Sequence, residues 1–129
     1  MVTQKEQRFV EFDGIAWEDQ GGGVRRKIMA YGDRLMAVYV EFKRGAIGAP
    51  HRHPHLQITY IQSGSFTVHI GGESRVLRSG DFYYIPADVE HGVEALEDSV
   101  LVDVFTPMRG DFLPAGSRAS AHSGGAPRS

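Results

Sequence analysis

The sequence contains no cysteine. Disulfide frameworks, thiolate zinc sites, iron–sulfur clusters and cysteine nucleophiles are therefore all excluded. Long apolar runs are also missing, and none approaches the roughly 20 residues that a membrane-spanning helix needs. Residues 1–6 carry no apolar secretory stretch. We therefore expect a cytoplasmic protein that has no membrane partner.

An excess of charge of one sign is lacking as well. Lysine and arginine together number 14 against 16 aspartate and glutamate residues, which gives a formal net charge of -2. This balance and a sequence pI near 6.3 do not suit a nucleic-acid surface, so no nucleic-acid partner is expected. The hydrophobic share of 41% excludes a wholly disordered chain. A length of 129 residues is enough for one domain with one core.

Composition changes near the end of the chain. The only apolar side chains in residues 114–129 are those of alanine and proline. Such a segment cannot bury enough surface to offset the entropy lost on ordering, so we predict a flexible C-terminal tail over 114–129. The folded domain is then expected to span residues 8–113.

Short strands separated by turn signals dominate the rest of the sequence. Segments of alternating hydrophobic residues are separated by Gly, Ser and Pro, which are common in turns. This pattern predicts strands at 35–43, 57–62, 66–70, 76–77, 82–85 and 99–106, with a further one near 25–29. Gly71 and Gly72 supply the positive φ angles of a two-residue hairpin turn. No stretch shows a helical period over three turns. The pattern predicts an all-β sandwich or barrel.

Three of the six histidines lie within five residues, at His51, His53 and His55. Alternate positions of a strand share a face, so the first two can aim their imidazoles at one point. Converging neutral imidazoles, joined by His91 and by an oxygen donor such as Gln57, suit Zn, Ni, Fe or Mn. A histidine pair on its own is equally compatible with a coincidence of composition. Pro54 leaves the direction of His55 open.

One charged residue interrupts the apolar strand at 99–106. Val100, Val102 and Val104 share one face, which we expect to be packed, and Asp103 lies on the other face. A carboxyl group inside a barrel is costly unless it is paired or functional, so Asp103 is a candidate general acid or base. The alternative is an edge-strand aspartate that faces water. Arg109 is a candidate carboxylate clamp or a plain surface arginine.

Two spaced motifs give the histidines a family context. The pattern Gly45-x5-His51-x-His53-x3-Gln57-x6-Gly64 resembles the first cupin motif, with Gln in place of the usual Glu. Gly80-x5-Pro86-x-Asp88-x2-His91 resembles the second motif, with Asp88 in place of a glycine. The likeness implies a single-domain cupin, a double-stranded β-helix or jelly-roll barrel. It also implies one divalent metal ion held by His51, His53, Gln57 and His91.

The neutral amide of Gln57 is a weaker donor than a carboxylate. It would leave a bound metal more positive, which makes the ion a better Lewis acid and a less ready electron donor to dioxygen. The substitution therefore favours non-redox chemistry over oxygenase chemistry.

A closer resemblance comes from residues 52–57, 95–98 and 103–112. These runs are similar to the KdgF family of pectin-degradation cupins, whose members open the ring of 4,5-unsaturated uronic acid monosaccharides to the linear 5-keto-4-deoxyuronate. The resemblance implies a metal-dependent, isomerase- or lyase-like enzyme that acts on a carbohydrate acid from pectin or alginate. It gives Asp103 and Arg109 catalytic or substrate-binding roles and places Phe105 at the sugar site. Tyr60 is a weaker candidate for a wall of that site.

Some features leave room for other functions. Leu56 stands where the family usually has Glu, and Asp88 where Gly or Asn is usual, so an identical substrate preference is not assured. The alternatives are a metal-dependent cupin dioxygenase, a cupin that binds a sugar or other small ligand without turnover, and a polyketide cyclase-type cupin. A homodimer is expected. The apolar residues Phe9, Val10, Phe12, Ile15 and Trp17 could form its interface or pack on their own barrel.

Overall fold

The computed structural model describes residues 4–114. Strands account for most of this part of the chain: β1 (Glu18–Gly21), β2 (Val24–Tyr31), β3 (Met36–Phe42), β4 (Ile47–His51), β5 (Leu56–Ser63), β6 (Ser65–Ile70), β7 (Glu73–Arg78), β8 (Phe82–Ile85), β9 (His91–Ala95) and β10 (Ser99–Thr106). Two one-turn 3-10 helices span Phe12–Gly14 and Gly110–Phe112. The predicted tail lies outside the described residues except for Pro114, and the domain bounds 8–113 stay a prediction.

The strands form two antiparallel sheets. One has six strands in the order β1-β2-β3-β10-β5-β8, and the other has four in the order β4-β9-β6-β7. This is the jelly-roll architecture that the sequence predicts. Within residues 4–114, no helix has the length and apolar character needed to cross a membrane.

The hydrophobic core lies between the two sheets. Every second residue of β3 is buried, at Met36, Val38, Val40 and Phe42. The Phe42 ring meets Phe66 of the other sheet edge to face, with centroids 5.1 Å apart. Each such buried side chain contributes roughly 1.5–3 kcal/mol through the removal of apolar surface from water. This packing fixes the two sheets that carry the site.

The sequence patterns do not predict strands β4 and β9, because these strands contain residues that are rare in strands. Pro50 is tolerated in β4 because β4 is an edge strand, where a missing backbone donor costs little. Gly92 is needed in β9 because a Cβ there would lie 2.9 Å from the carbonyl oxygen of Gly48. Strand β1 is short and polar, and it was also missed.

Strand β10 lies at the centre of the six-stranded sheet, between β3 and β5. Its residues Ser99, Leu101, Asp103 and Phe105 are buried, which excludes an edge-strand aspartate facing water. We expected the valine face to be packed, and within one chain this is wrong: Val100, Val102 and Val104 lie on the outer side of the sheet and are only half-buried. The opposite side, which carries Asp103, faces the interior of the barrel.

Candidate metal centre

Three histidines meet at one end of the barrel. His51 ends β4 and pairs with His91 at the start of β9, and their ring centroids are 4.3 Å apart. His53 lies in the loop that follows β4, and its ring centroid is 4.7 Å from that of His91. One nitrogen of each ring lies within 4.8 Å of the others. The convergence thus arises from a strand end and a loop, and not from alternation along one strand as the sequence suggested.

The backbone fixes which nitrogen of each ring carries the hydrogen. Nδ1 of His51 lies 2.9 Å from the carbonyl oxygen of Ala49, and Nδ1 of His91 lies 2.9 Å from that of Val89. Nδ1 of His53 lies 3.0 Å from the carbonyl oxygen of His55. A carbonyl only accepts, so each Nδ1 donates and each Nε2 keeps a lone pair. All three lone pairs are therefore available to a metal ion.

The Nε2 atoms have the surroundings that a cation requires. Those of His51 and His91 are buried without a hydrogen-bond partner. That of His53 lies 2.9 Å from Oε1 of Gln57, so that two acceptors face each other. Buried acceptors that converge without a hydrogen-bond donor raise the free energy of the folded state unless a cation binds their lone pairs. The described residues therefore fit a divalent metal ion, with Gln57 Oε1 as the oxygen donor.

Burial keeps the imidazoles in the neutral form that binds metals. Desolvation, together with the nearby Arg109 charge, lowers the pKa of His53 to about 4. Desolvation also lowers the pKa of His91 to about 4 and lowers that of His51. No proton therefore has to be displaced from Nε2 near neutral pH.

Asp103 is connected to this cluster by hydrogen bonds. Its Oδ1 accepts one from Thr59 Oγ1 at 2.6 Å and one from Gln57 Nε2 at 3.0 Å. Burial raises the pKa of Asp103 to about 6, while the Thr59 hydrogen bond and the Arg109 charge act in the opposite direction. Asp103 shares a cavity with Gln57, His51 and His91, and the apolar walls of that cavity include Val40, Phe42, Val93 and Leu101. A proton-accepting group thus lies next to the metal-binding atoms.

Arg109 and Phe105 lie beside the cluster. Arg109 is fully buried and makes two hydrogen bonds to Asp111, from Nε at 2.9 Å and from a terminal nitrogen at 2.8 Å. Its guanidinium lies over the ring of Phe112 at 4.4 Å and that of Phe105 at 5.1 Å. Phe105 is itself fully buried, and its ring packs edge to face on His53. Arg109 is not among the residues that line the cavity, although its charge lowers the histidine pKa values.

Tyr60 lies on the other side of its sheet. Gln57, Thr59 and Ile61 of β5 face inward and are buried, so Tyr60 faces outward, where its ring packs on Phe82 at 4.7 Å. The structure therefore does not bring Tyr60 to the site, which corrects its assignment as a sugar-binding residue. The error lies in counting an aromatic residue near the motif without following the alternation of the strand.

Three residues near the site were missed by the sequence analysis. Thr59 follows Gln57 by two positions, so strand alternation alone could have placed it on the inner face. Tyr83 lines the same cavity from β8, and its burial raises the pKa of its hydroxyl. Asp111 stands within the run 103–112, but no local pattern shows that its carboxylate meets Arg109.

The two-sheet barrel with three converging imidazoles defines the chain as a cupin, and the Cupin domain family model matches residues 38–105. Pectin degradation protein KdgF of Dickeya dadantii (strain 3937) is 49% identical over 108 residues, which are 82% of this chain and 98% of that protein. The chain belongs to this KdgF family of cupins.

Solved structures agree with that assignment. KdgF from Halomonas sp. is 46% identical, with a TM-score of 0.79 over 81% of this chain and 99% of that one. An RmlC-like cupin from Shewanella frigidimarina NCIMB 400 is 36% identical, with a TM-score of 0.83 over 86% and 100% of the two chains. Both relatives are matched over nearly their whole length, so the likeness extends beyond the histidine motifs.

Proposed function

We propose that this protein is an enzyme that opens the ring of 4,5-unsaturated uronic acid monosaccharides, giving the linear 5-keto-4-deoxyuronate. The similarity to pectin degradation proteins supports this substrate class. The observation that carries the proposal is the contact between the buried carboxyl of Asp103 and Gln57 of the histidine cluster. This contact places a proton carrier beside a site that fits a Lewis acid.

The reaction is an isomerisation and needs no oxidant. The anomeric hydroxyl loses its proton, the C1 carbonyl forms, and the bond from C1 to the ring oxygen breaks. The ring oxygen leaves as the enol of C4 and C5, which takes a proton at C4 and becomes the C5 ketone. One proton thus moves from O1 to C4, so a single group that first accepts and then donates a proton can serve both steps.

Asp103 is our candidate for that group. It is held at Oδ1 by Thr59 and Gln57, so its position relative to the cluster is defined before substrate arrives. Such preorganisation lowers the cost of orienting the acid and the substrate in the transition state. Asp103 would take the proton from the anomeric hydroxyl and return it at C4.

Arg109 and Phe105 are proposed to support the binding of the sugar acid without lining the cavity, because both side chains are fully buried beside it. The guanidinium, whose orientation Asp111 holds with two hydrogen bonds, would supply positive charge that attracts the substrate carboxylate. The Phe105 ring, which packs between His53 and Phe112, would hold the His53 imidazole in place.

A divalent metal ion bound by His51, His53, His91 and Gln57 would stabilise the negative charge that develops on the substrate oxygens. Zn, Ni, Fe and Mn all remain candidates, because their geometric preferences overlap at such a site. Metal analysis of the purified protein identifies the ion.

The test is the ultraviolet absorbance of an unsaturated galacturonate, which is lost when the C4–C5 double bond is consumed. We expect rapid loss with the metal-loaded enzyme and a rate near the spontaneous one after treatment with chelator. Unsaturated monosaccharides derived from pectin and from alginate, tested in parallel, separate the two sources. A rate equal to the spontaneous one with loaded enzyme contradicts the proposal.

The other functions have separate signatures. Oxygen consumption by an Fe-loaded sample would indicate a dioxygenase, and saturable uronate binding without product would indicate a non-catalytic sugar-binding cupin. Conversion of a polyketide would indicate a cyclase. The similarity to KdgF proteins favours ring opening over these three. The cytoplasmic location stays a prediction, which cell fractionation tests.

A homodimer also remains a proposal, for which we favour a surface other than the N-terminal segment. Phe12 and Trp17 pack on Tyr39 of their own barrel, with ring centroids 4.8 and 6.0 Å away. The outer face of β5, β8 and β10 carries no charged side chain, and eight of its side chains are aliphatic or aromatic: Leu56, Ile58, Tyr60, Phe82, Tyr84, Val100, Val102 and Val104. We propose that two copies pack through this face. In a two-fold dimer each copy contributes the same patch to the interface, so a patch without charged side chains avoids repulsion between like charges.

A further inference from the structure

The inner face of β5 carries a hydroxyl whose contact with Gln57 has no role in the function proposed so far. Thr59 is fully buried, two residues after Gln57 and directly opposite Asp103 in the register of β5 and β10. Its Oγ1 donates to Asp103 Oδ1 at 2.6 Å and accepts from Gln57 Nε2 at 2.9 Å. One hydroxyl therefore contacts both the proposed metal ligand and the proposed proton carrier.

These contacts decide which atom of the Gln57 amide faces the histidines. Nε2 has two hydrogens, and they point to Thr59 Oγ1 and to Asp103 Oδ1. If the amide turned over, its oxygen would face the Asp103 carboxylate, and these acceptors would meet without a hydrogen between them. In the present orientation the facing acceptors are Oε1 and His53 Nε2, which can both bind a metal ion. The observed orientation directs Oε1 to His53 Nε2 and the imidazole cluster.

The single hydrogen of Thr59 completes the arrangement. Because it is donated to Asp103, the oxygen of Thr59 is left to accept from Gln57. Removing this hydroxyl would leave one amide hydrogen of Gln57 unpaired in a buried place, and Asp103 Oδ1 would lose its shorter hydrogen bond. Both the ligand and the carboxylate would then be held less firmly.

We propose that Thr59 is a positioning residue that holds the Gln57 amide oxygen toward the metal site and Asp103 in reach of the substrate. Groups that orient a metal ligand typically change metal affinity or activity by about 10- to 100-fold when removed. The part of this inference that concerns turnover rests on the proposed ring opening, whereas the part that concerns the metal does not.

The test compares Thr59→Val, which keeps the shape and removes the hydroxyl, with Thr59→Ser, which keeps the hydroxyl. We expect Thr59→Val to bind Co²⁺ about 10-fold more weakly, with an altered visible absorption spectrum of the bound ion. We also expect kcat to fall by about 10-fold while KM changes little, because Thr59 does not contact the substrate. Thr59→Ser should restore most of both properties.

Controls separate this role from a loss of folding. Thr67→Val removes a strand threonine hydroxyl from β6, in the other sheet, and should change neither Co²⁺ affinity nor kcat. If Thr59→Val does not fold, Thr59→Ala compared with Thr59→Ser still decides, because this pair differs by one oxygen atom. Unchanged Co²⁺ affinity, spectrum and kcat in a folded variant without the hydroxyl would overturn the inference. A wild-type protein that is inactive on the uronate contradicts the proposed function but leaves the Co²⁺ comparison valid.

Discussion

His51 and His91 form a registered pair where β4 meets β9, although 40 residues separate them in the chain. Their Nε2 atoms are buried without hydrogen-bond partners, and each Nδ1 is held by a carbonyl two residues earlier. Two neighbouring strands of the same sheet thus orient two lone pairs before any ion is present. The metal site is built into the pairing of the strands.

Removing two imidazoles should empty the site. We expect His51→Ala combined with His53→Ala to reduce bound metal from about one ion per chain to near none, because two of the four donors are lost. Mass spectrometry of the native protein measures the occupancy. His69→Ala is the matched control, since His69 is exposed on β6. Full metal content in the double variant would refute the assignment of the ligands.

Asp103→Asn should separate proton transfer from metal binding. Asparagine keeps the size of the side chain but cannot carry the proton, so we expect turnover of an unsaturated galacturonate to fall by about 100-fold or more. Metal content should be unchanged, because Asp103 is not among the proposed ligands. Asp13→Asn, at an exposed position, is the control. Full turnover in Asp103→Asn would remove Asp103 from the mechanism.

Acid should destabilise the metal-free protein between about pH 6.5 and pH 4. The pKa values of His53 and His91 are about 4 in the fold against 6.5 for a free histidine, so the unfolded chain binds more protons in this window and stability falls as pH falls. Asp103 has the opposite effect on stability, because its pKa is about 6 in the fold against 3.8 for a free aspartate. Its contribution therefore offsets that of one histidine over part of this range.

Thermal melting in the presence of chelator measures this pH dependence. The melting temperature should fall from pH 7 to pH 4, and His91→Asn should flatten the slope because it removes one of the histidines whose pKa the fold lowers. A melting temperature that rises steadily over the same range is incompatible with neutral buried imidazoles.

A charge on the outer face of the six-stranded sheet should prevent dimerisation. Phe82 is 64% exposed on β8, the edge strand of this apolar surface, so Phe82→Glu would bury a carboxylate in the proposed interface. Light scattering should report a dimer for the wild type and a monomer for the variant. Val76→Glu on β7, where the residue is 47% exposed in the other sheet, should remain a dimer. A monomeric wild type would argue against the interface.

Gly64→Ala should strongly reduce stability. Gly64 has a φ of +80°, and a Cβ there would lie 2.0 Å from Oγ of Ser99, whose hydroxyl also accepts from Ser65 N. We expect a loss of roughly 3 kcal/mol in the free energy of unfolding, from backbone strain and from overpacking. Gly80→Ala, with a φ of +95° and no atom near the added Cβ, should cost about 1 kcal/mol. Chemical denaturation measures both, and equal losses would contradict the steric account.

Sequence patterns predict those parts of this fold that follow regular alternation. The buried face of β3 is an example, because side chains in a strand point to opposite sides at every step. In β10 the alternation separates the two faces, but the valine face that was expected to be packed is the outer one. The motif glycine Gly64 also has a physical reason, since its backbone angle and its contact with Ser99 exclude a side chain. Strands β4 and β9 were missed because local propensity disfavours Pro50 and Gly92, whereas their neighbours in space require or tolerate them.

The candidate site also has a part that sequence patterns predict and a part that they do not. Motif spacing brought His51, His53 and His91 into one hypothesis, and the structure places them together. The partnership of Arg109 with Asp111 depends on loop geometry and cannot be obtained from residue types. The outward direction of Tyr60 follows from the alternation of β5 once Gln57 is placed on the inner face.

The main-chain anchoring of the three imidazoles has an evolutionary consequence. Since the tautomer of each ring is set by a carbonyl rather than by another side chain, neighbouring residues are free to vary without disturbing the donors. New chemistry can then be acquired on the inward positions of β10 while the three imidazoles keep their arrangement.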